Sequence, residues 1–320
     1  MILQRTIKNE VSTVGVGLHT GEKVKITLCP ASDGHGVVFQ REDVKGQPKI
    51  AVNPQAVIET KLCSTIGTED FSIATVEHLM SALSAVGVDN ILIKLNGSEI
   101  PIMDGSSISF IHLIKSAIII EQTKEKEFVV IKDVIEISDG DKFARFEPYK
   151  GFLIDFTIDF PHPAFKLNDS QVSIDFFKDS YIDEISRART FGFMREVEYL
   201  RSNGLARGGS LENAIVLDEY KILNEDGLRY RDEFVRHKIL DAIGDLYILG
   251  YPIIGKFVAH KSGHDLNNRL LRELMKNKGK WDVTSLRIDD IDPHNLSSFL
   301  KINEELNKPT QKNLQWPDWL

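Results

Sequence analysis

The most regular hydrophobic pattern in the first half of the chain lies in residues 75–83. Apolar residues occupy positions i, i+3, i+4 and i+7 there, which is the spacing of one buried helix face. On such a helix His78 lies about 200° from the apolar residue Val76, so its imidazole is expected to point away from the core. Glu77 lies beside it, and a carboxylate next to a metal-bound imidazole is a typical general base. An exposed pair without a function is the commoner arrangement, and the spacing alone does not exclude it.

A second helix is predicted over residues 237–245, where polar and apolar positions separate around the helix axis. Successive helical residues turn by about 100°, so His237, Asp241 and Asp245 fall on one polar stripe. Lys238 lies beside the stripe, and the apolar residues collect on the opposite side, where they can be buried. An imidazole and a carboxylate four residues apart can reach one cation. A solvated face is the commoner meaning of such a stripe, so both interpretations stay open.

Much of the remaining chain alternates in the manner of half-buried or buried strands, with glycine and proline at the breaks. Strands are predicted over 23–28, 37–40, 88–95, 128–137, 143–146, 152–160, 214–217 and 253–260, and further helices over 110–117, over 195–202 and after His264. The charged segment 121–127 separates two apolar runs, which places a domain boundary near Lys124. The expected units are residues 1–123 and 124–290, followed by a tail, 291–320.

Composition and charge narrow the class of protein. The chain has 320 residues, of which 42% are hydrophobic and 27% charged, as in globular proteins with a large core. The net charge of -8 provides no broad basic field, so nucleic acid is not an expected partner, although a local basic pocket for phosphates fits. The apolar run 110–120 is interrupted by His112 and Lys115 and is too short for a membrane span. The start of the chain lacks a secretory signal pattern, and the two cysteines, Cys29 and Cys63, suit a reducing compartment such as the cytoplasm.

Two more segments place chemically capable residues at the ends of predicted strands. Thr190 and Phe191 precede the helix 195–202. A hydroxyl can donate to an oxyanion and an aromatic ring can stack on a flat ligand, although packing at a strand end explains both residues equally well. His264 follows a glycine at a strand-to-helix turn, where an imidazole is well placed to be exposed in a site. Asp245 can orient that ring from the preceding helix.

Five motifs occur in a fixed order along the chain. They are Thr75-Val-Glu-His-Leu-Met, Glu99-Ile-Pro-Ile-Met-Asp-Gly-Ser, Ser186-Arg-Ala-Arg-Thr-Phe-Gly-Phe-Met, Glu233-Phe-Val-Arg-His-Lys-Ile-Leu-Asp-Ala-Ile-Gly-Asp-Leu and Lys261-Ser-Gly-His. Together they resemble the UDP-3-O-acyl-N-acetylglucosamine deacetylase family, from Val14-Gly-Val-Gly-Leu-His-Thr-Gly to about Asn268. The resemblance implies an α+β fold of two similar domains, each a β-sheet layer with helices packed at the interdomain interface.

The resemblance also implies an activity. The family consists of zinc amidases that hydrolyse the 2-acetamido group of UDP-3-O-acyl-N-acetylglucosamine and release acetate, the committed step of lipid A synthesis in Gram-negative bacteria. His78, His237 and Asp241 match its zinc ligands, which would place the ion between the domains with an open position for water. Glu77 matches the general base for a zinc-bound water and His264 the general acid for the leaving amine. The sequence alone does not divide the two proton transfers between them.

Further roles follow from the same resemblance. Thr190 is expected to hold the oxyanion together with zinc, and Asp245 to keep the general acid charged and oriented. Lys238 matches a residue near the substrate phosphates and the zinc site, Lys261 is expected to assist it, and Phe191 resembles the aromatic residue on the uridine side. The 3-O-acyl chain needs an apolar passage, which is expected from Met194, Val197, Leu200, Leu205, Ala206 and Ile215.

The expected partner is therefore a nucleotide sugar carrying an acyl chain. A cytoplasmic monomer is expected, without a membrane span and with at most a weak membrane contact through the acyl substrate. Two rival functions stay open: a zinc amidase of the same fold that acts on another amide, and a non-catalytic nucleotide-sugar-binding protein whose metal only joins its domains. Glu77 and His264 favour catalysis, because metal binding alone does not require them.

Overall fold

A computed structural model of the chain describes residues 1–166 and 170–287. The predicted tail, 291–320, lies outside the described residues, as does the end of the predicted second unit, 288–290. Within the described ranges, none of the helices combines the length and the apolar character that a transmembrane span needs.

The first half of the chain forms one principal sheet with two helices. Its elements are β1 (Leu3–Ile7), β2 (Val11–Val16), β3 (Lys23–Pro30), β4 (Val37–Arg41), β5 (Lys49–Ala51), β6 (Val57–Glu59), β7 (Thr65–Gly67), β8 (Ser72–Ile73), α1 (Glu77–Val86), β9 (Ile91–Leu95), α2 (Ile108–Ser116) and β10 (Ile119–Glu125). Five strands join in the order β2-β3-β9-β4-β5, with only the β9–β4 pair parallel. Strands β6, β7 and β8 form a small separate sheet, and β1 pairs with β10.

The second half follows the same plan with more helices. Its elements are β11 (Glu127–Ile131), β12 (Ile135–Asp139), β13 (Lys142–Glu147), β14 (Phe152–Thr157), α3 (Pro163–Lys166), β15 (Gln171–Asp175), α4 (Tyr181–Glu184), β16 (Phe191–Phe193), α5 (Met194–Ser202), β17 (Ile215–Leu217), α6 (Glu233–Tyr247), β18 (Ile253–His260), α7 (His264–Lys276) and β19 (Trp281–Ser285). Single 3-10 turns occur at Pro54–Ala56 and Lys278–Lys280.

The two principal sheets have the same strand order and directions. In the second, β12, β13, β18, β14 and β15 are neighbours in that order, and only the β18–β14 pair is parallel. The central strand follows a long helix in both halves, α1 before β9 and α6 before β18, and a further helix comes after it. The predicted α+β class with two similar halves is thereby confirmed. Strands β11 and β19 extend the second sheet, and β16 pairs with β17 apart from it.

Helices α1 and α6 meet at a very close approach. A Cβ atom added to Gly244 would lie 1.9 Å from the backbone oxygen of Glu77, so glycine is required at this point of α6. Farther along, the hydroxyl of Tyr247 donates to the carbonyl oxygen of Val88 at 2.8 Å. All ten residues of α1 are buried. At this point the two halves of the chain contact each other through helices that have little room to slide.

The charged segment 121–127 is part of the folded structure. Its beginning belongs to β10, which pairs with β1, and its last residue begins β11. Between those strands, Lys126 is buried; its ammonium donates to the carbonyl oxygen of Gly87 at 2.9 Å and lies 3.0 Å from the carboxylate of Asp89. The segment is therefore tied to the first half, and the domain boundary near Lys124 stays a prediction.

Candidate metal centre and active site

Three side chains from two helices converge where α1 crosses α6. His78 Nε2 lies 3.4 Å from Asp241 Oδ1, and His237 Nε2 lies 3.3 Å from the same oxygen. All three ligand atoms lie within 4.8 Å of one another, and all three residues are buried. Zinc binds nitrogen and oxygen ligands at about 2.0–2.2 Å, so one ion fits between atoms at these separations.

The hydrogen bonding of the cluster also fits a cation. Among the described residues, Asp241 Oδ1 is buried without a hydrogen bond, which is costly for a carboxylate oxygen unless a cation satisfies it. His237 Nδ1 lies 3.1 Å from the carbonyl oxygen of Ala188, and donation through this nitrogen leaves the lone pair of Nε2 for a metal.

The electrostatics of the cluster suit ligands that bind without protons. Burial lowers the pKa of His237 to about 3, so this ring is neutral near pH 7. Burial opposes the charge of Asp241, yet His237 and Lys238 hold the pKa of that carboxyl well below its ordinary value. Two imidazoles and one carboxylate form a donor set typical of catalytic zinc.

A second pair of titratable groups lies next to the cluster. Glu77 Oε1 is 3.9 Å from His264 Nε2, and both side chains are buried. The other carboxylate oxygen of Glu77 accepts a hydrogen bond from the backbone nitrogen of Ser64 at 3.1 Å. Burial raises the pKa of Glu77 to about 7, which suits a group that must accept a proton near neutral pH.

Asp245 holds the ring of His264 through its Nδ1 atom. Its Oδ2 lies 2.9 Å from His264 Nδ1 and accepts a hydrogen bond from the Asn267 side chain at 2.8 Å, while its Oδ1 accepts one from the Ser64 hydroxyl at 2.5 Å. Burial alone would lower the pKa of His264, but the Asp245 carboxylate raises it to about 9, so the ring carries a proton at pH 7. Sequence reasoning missed Ser64 and Asn267, because neither belongs to a periodic pattern or to a recognisable motif.

The structure buries the polar residues that the helical patterns marked. His78 is 3% exposed, and His237, Asp241 and Asp245 are 2%, 4% and 2% exposed. The solvated-face interpretation of the two helices is therefore wrong, as is the expectation that His264, at 8%, is exposed. Each polar face turns away from the core of its own sheet, and the helix from the other half covers it.

Lys238 and Phe191 lie beside the ligand cluster. The Lys238 ammonium donates to Asp241 Oδ2 at 2.7 Å and lies 5.9 Å from the centre of the Phe191 ring. The same ring is 6.3 Å from His237 and packs edge-on against Phe160 and Phe234. Phe191 is half-buried, so one part of an aromatic wall remains open beside the ammonium.

Thr190 and Lys261 occupy different surroundings. Thr190 is half-buried just before β16, and its backbone nitrogen donates to the carbonyl oxygen of Gly105 at 2.8 Å. The ammonium of Lys261 lies 2.6 Å from Asp141 and 2.7 Å from Asp159. Lys261, three residues before His264, thus already forms ion pairs with two carboxylates. Its expected contact with phosphates stays a prediction.

The segment expected to supply an acyl passage packs against the first half of the chain. Helix α5 has no buried residue, whereas Ala206 and Ile215 are buried. The backbone nitrogens of Arg207 and Gly208 donate to the carbonyl oxygens of His19 and Leu18 at 3.2 and 3.0 Å. The two loops therefore lie side by side, and their use as a passage remains an expectation.

Comparison with known proteins agrees with these observations. The sequence model of the LpxC family, described as UDP-3-O-acyl N-acetylglycosamine deacetylase, matches residues 4–276. A protein from Saccharophagus degradans, named UDP-3-O-acyl-N-acetylglucosamine deacetylase, is 52% identical over 293 residues, which cover 92% of this chain and 97% of the relative. A protein of the same name from Xanthomonas oryzae pv. oryzae is 53% identical over 285 residues, covering 89% and 94%. One from Teredinibacter turnerae is 52% identical, covering 92% and 97%.

Proposed function

Because the chain belongs to the UDP-3-O-acyl-N-acetylglucosamine deacetylase family and is thus a deacetylase, we propose that it hydrolyses the 2-acetamido group of UDP-3-O-acyl-N-acetylglucosamine. The products are acetate and the free 2-amine, and the reaction is a step of lipid A synthesis in the cytoplasm of a Gram-negative bacterium. The cofactor is one zinc ion held by His78, His237 and Asp241. The observation that carries the proposal is the convergence of these ligand atoms within 4.8 Å, next to the buried pair Glu77 and His264.

The reaction needs an attacking water and a protonated leaving group. When bound, zinc supplies a Lewis acid that lowers the pKa of a water molecule and polarises the amide carbonyl. Glu77 accepts the proton that the water loses as its oxygen forms a bond to the carbonyl carbon. His264, charged at neutral pH, donates a proton to the amide nitrogen as the carbon–nitrogen bond breaks. The distance of 3.9 Å between the two groups lets both reach one reacting amide.

Other side chains orient the reacting groups and the substrate. Asp245 keeps the ring of His264 charged and aimed through a hydrogen bond of 2.9 Å. The Thr190 hydroxyl donates to the oxyanion of the tetrahedral intermediate, replacing a hydrogen bond from water by a fixed one. Lys238 balances the Asp241 carboxylate and faces the phosphates, Phe191 packs on the uridine side, and Lys261 assists phosphate binding.

An acetate-release assay with UDP-3-O-acyl-N-acetylglucosamine tests the proposal. The purified protein should contain about one zinc per chain, and chelation followed by zinc addition should abolish and restore acetate release. Full activity of metal-free protein would exclude the zinc mechanism. The same assay with UDP-N-acetylglucosamine lacking the acyl chain separates the proposed substrate from another amide. Absence of turnover with both compounds would favour a binding protein.

A further inference from the structure

A buried ion pair lies near the proposed metal ligand His237 and takes no part in the chemistry described above. Arg189 and Glu233 have side chains that are 2% and 0% exposed. The Nε of Arg189 donates to one carboxylate oxygen of Glu233 at 2.9 Å, and Nη2 donates to the other at 3.2 Å. Such a two-point contact fixes the planes of both groups as well as their separation.

The Glu233 carboxylate also holds two backbone nitrogens. It accepts hydrogen bonds from the backbone nitrogen of Arg189 at 3.0 Å and from that of Arg229 at 2.5 Å. The other guanidinium hydrogens reach the carbonyl oxygen of Gly227 at 2.7 Å and the carboxylate of Asp226 at 3.2 Å. The Glu233 carboxylate thus accepts hydrogen bonds from the Arg189 guanidinium and from two backbone nitrogens. A movement of one of these donors would disturb the hydrogen bonds made by the others.

The two partners lie next to groups that the proposed reaction uses. Arg189 is preceded by Ala188, whose carbonyl oxygen lies 3.1 Å from His237 Nδ1, and is followed by Thr190. Glu233 is the first residue of α6, one helical turn before His237. The ion pair thus joins the segment that contacts the ring of His237 to the helix that carries this ring.

We infer that Arg189 and Glu233 are positioning residues, which lock the segment 188–190 onto the start of α6. The lock sets the plane of the His237 imidazole and the place of the Thr190 hydroxyl. The inference rests on the proposed function, in which His237 binds the metal and Thr190 holds the oxyanion. A buried ion pair usually stabilises a fold no better than an apolar pair of the same size, so its value here lies in geometry. Two-point geometry also explains why an arginine, with its planar fork, occupies this position.

Glu233→Gln tests the lock with almost no change in volume. The amide keeps one acceptor oxygen. Its NH2 group replaces the second carboxylate oxygen and faces N–H groups that had donated hydrogen bonds to that oxygen. Loss of a partner behind a metal ligand typically costs about 10- to 100-fold in metal affinity or activity. We expect a loss of that size in zinc affinity, measured by competition with a chelator, and in kcat. KM should change less than about twofold, because both side chains are buried and neither is among the groups proposed to bind substrate.

A nuclear magnetic resonance signal provides a readout that does not depend on turnover. In zinc-loaded protein with 15N-labelled histidine, the proton on His237 Nδ1 should be protected by its hydrogen bond to Ala188. Glu233→Gln and Arg189→Lys should shift this signal or speed its exchange with solvent. Glu233→Asp keeps the charge on a shorter arm and should restore part of the zinc affinity and of kcat.

Arg236→Lys is the matched control on the same helix. Arg236 forms ion pairs with Asp232 at 2.5 Å and Glu184 at 2.6 Å, and neither partner contacts a metal ligand. The control should lower the melting temperature while leaving zinc affinity, kcat and the His237 signal unchanged. A positioning pair and a merely stabilising pair are thereby distinguished.

The outcomes separate this inference from the proposed function. Unchanged zinc affinity, kcat and His237 signal in folded Glu233→Gln and Arg189→Lys proteins would overturn the inference, even if both melt earlier. If Glu233→Gln does not fold, Arg189→Lys and Glu233→Asp decide the question by the same three measurements. A wild-type protein that binds zinc without releasing acetate would contradict the proposed function, whereas the zinc affinities and the His237 signal would still test the ion pair.

Discussion

In the first half of the molecule, α1 brings Glu77 and His78 to the site from its first turn. In the second half, α6 brings His237, Asp241 and Asp245 from positions that run from its second turn to its last. Both helices precede the central strand of equivalent sheets. The next helices differ as well, because α7 begins with His264 and α2 with an isoleucine. The repeated fold therefore supplies equivalent supports, and the chemistry is distributed unequally at the point where they cross.

One device is common to both halves. Thr75 precedes α1 with φ of 59°, and Lys261 precedes α7 with φ of 53°, a conformation that residues other than glycine rarely adopt. Contacts hold each turn in place: the Thr75 hydroxyl donates to the buried carboxylate of Glu99 at 3.2 Å, and the backbone nitrogen of Lys261 donates to the carbonyl oxygen of Thr157 at 2.8 Å. The helices that carry the proposed base and the proposed acid thus both start from a constrained turn.

Removing one metal ligand from each half is the most severe test of the comparison. His78→Ala and His237→Ala should each leave the protein with far less than one zinc per chain and lower acetate release by about 10³-fold or more, since the metal contributes several kcal/mol to transition-state stabilisation. Metal analysis and the acetate assay measure both effects, with His35→Ala as a histidine control outside the cluster. Retention of zinc by His78→Ala would assign the whole centre to the second half.

The acid and the base provide the next test, because they come from different halves. Glu77→Gln and His264→Gln should each lower kcat by about 10²- to 10⁴-fold while zinc content is retained. The raised pKa of His264, about 9, means that its proton is present at neutral pH and is lost as the pH rises through this value. The wild-type rate should fall on the alkaline side, and His264→Gln should lose this dependence. An unaltered alkaline limb in that variant would contradict the acid role.

Gly244→Ala tests the close approach between the halves. The new Cβ would lie 1.9 Å from a backbone oxygen of Glu77, so α6 must shift. Overpacking of this kind costs about 1–3 kcal/mol of unfolding free energy, which urea unfolding with and without zinc would measure. Gly279→Ala adds the same atom where nothing lies within 4 Å and is the control. Equal stability of the two variants would show that the helices can separate without loss.

The smallest effect is expected at Ser64, whose hydroxyl links the first half of the chain to Asp245 in the second half. Ser64→Ala removes the hydroxyl that donates to Asp245 but keeps the backbone nitrogen that donates to Glu77. We expect kcat to fall about tenfold, as for other partners of active-site groups, with little change in KM. Ser116→Ala removes an exposed hydroxyl bonded to a nearby backbone oxygen and should leave kcat unaltered.

Local pattern was sufficient for many of the elements. The strand predicted over 253–260 matches β18, and the helix predicted over 237–245 lies within α6. Where two short strands follow each other, periodicity predicted a single strand: the run 128–137 overlaps both β11 and β12. The cause is the turn between them, whose few residues do not interrupt the apolar pattern enough to be recognised.

The site was only partly accessible to the same reasoning. Spacing marked His237 and Asp241 as possible ligands, but the choice between a solvated face and a metal site depended on α1, which comes far earlier in the chain. Ser64 and Asp245 are 181 residues apart, and no periodic pattern covers such a distance. The pair Arg189 and Glu233 was missed because charged residues are rarely buried, and nothing in the local pattern marks the ones that are.

The division of the ligands has a consequence for how the molecule matures. A growing chain that ends before α6 contains His78 alone of the three proposed ligands, so it has no centre to fill. An ion held by all three proposed ligands would need both halves folded and docked, and its binding energy would favour the docked arrangement over the undocked one. Metal content would thus measure finished assembly: a truncated or misdocked chain would be metal-free even if each sheet had formed correctly.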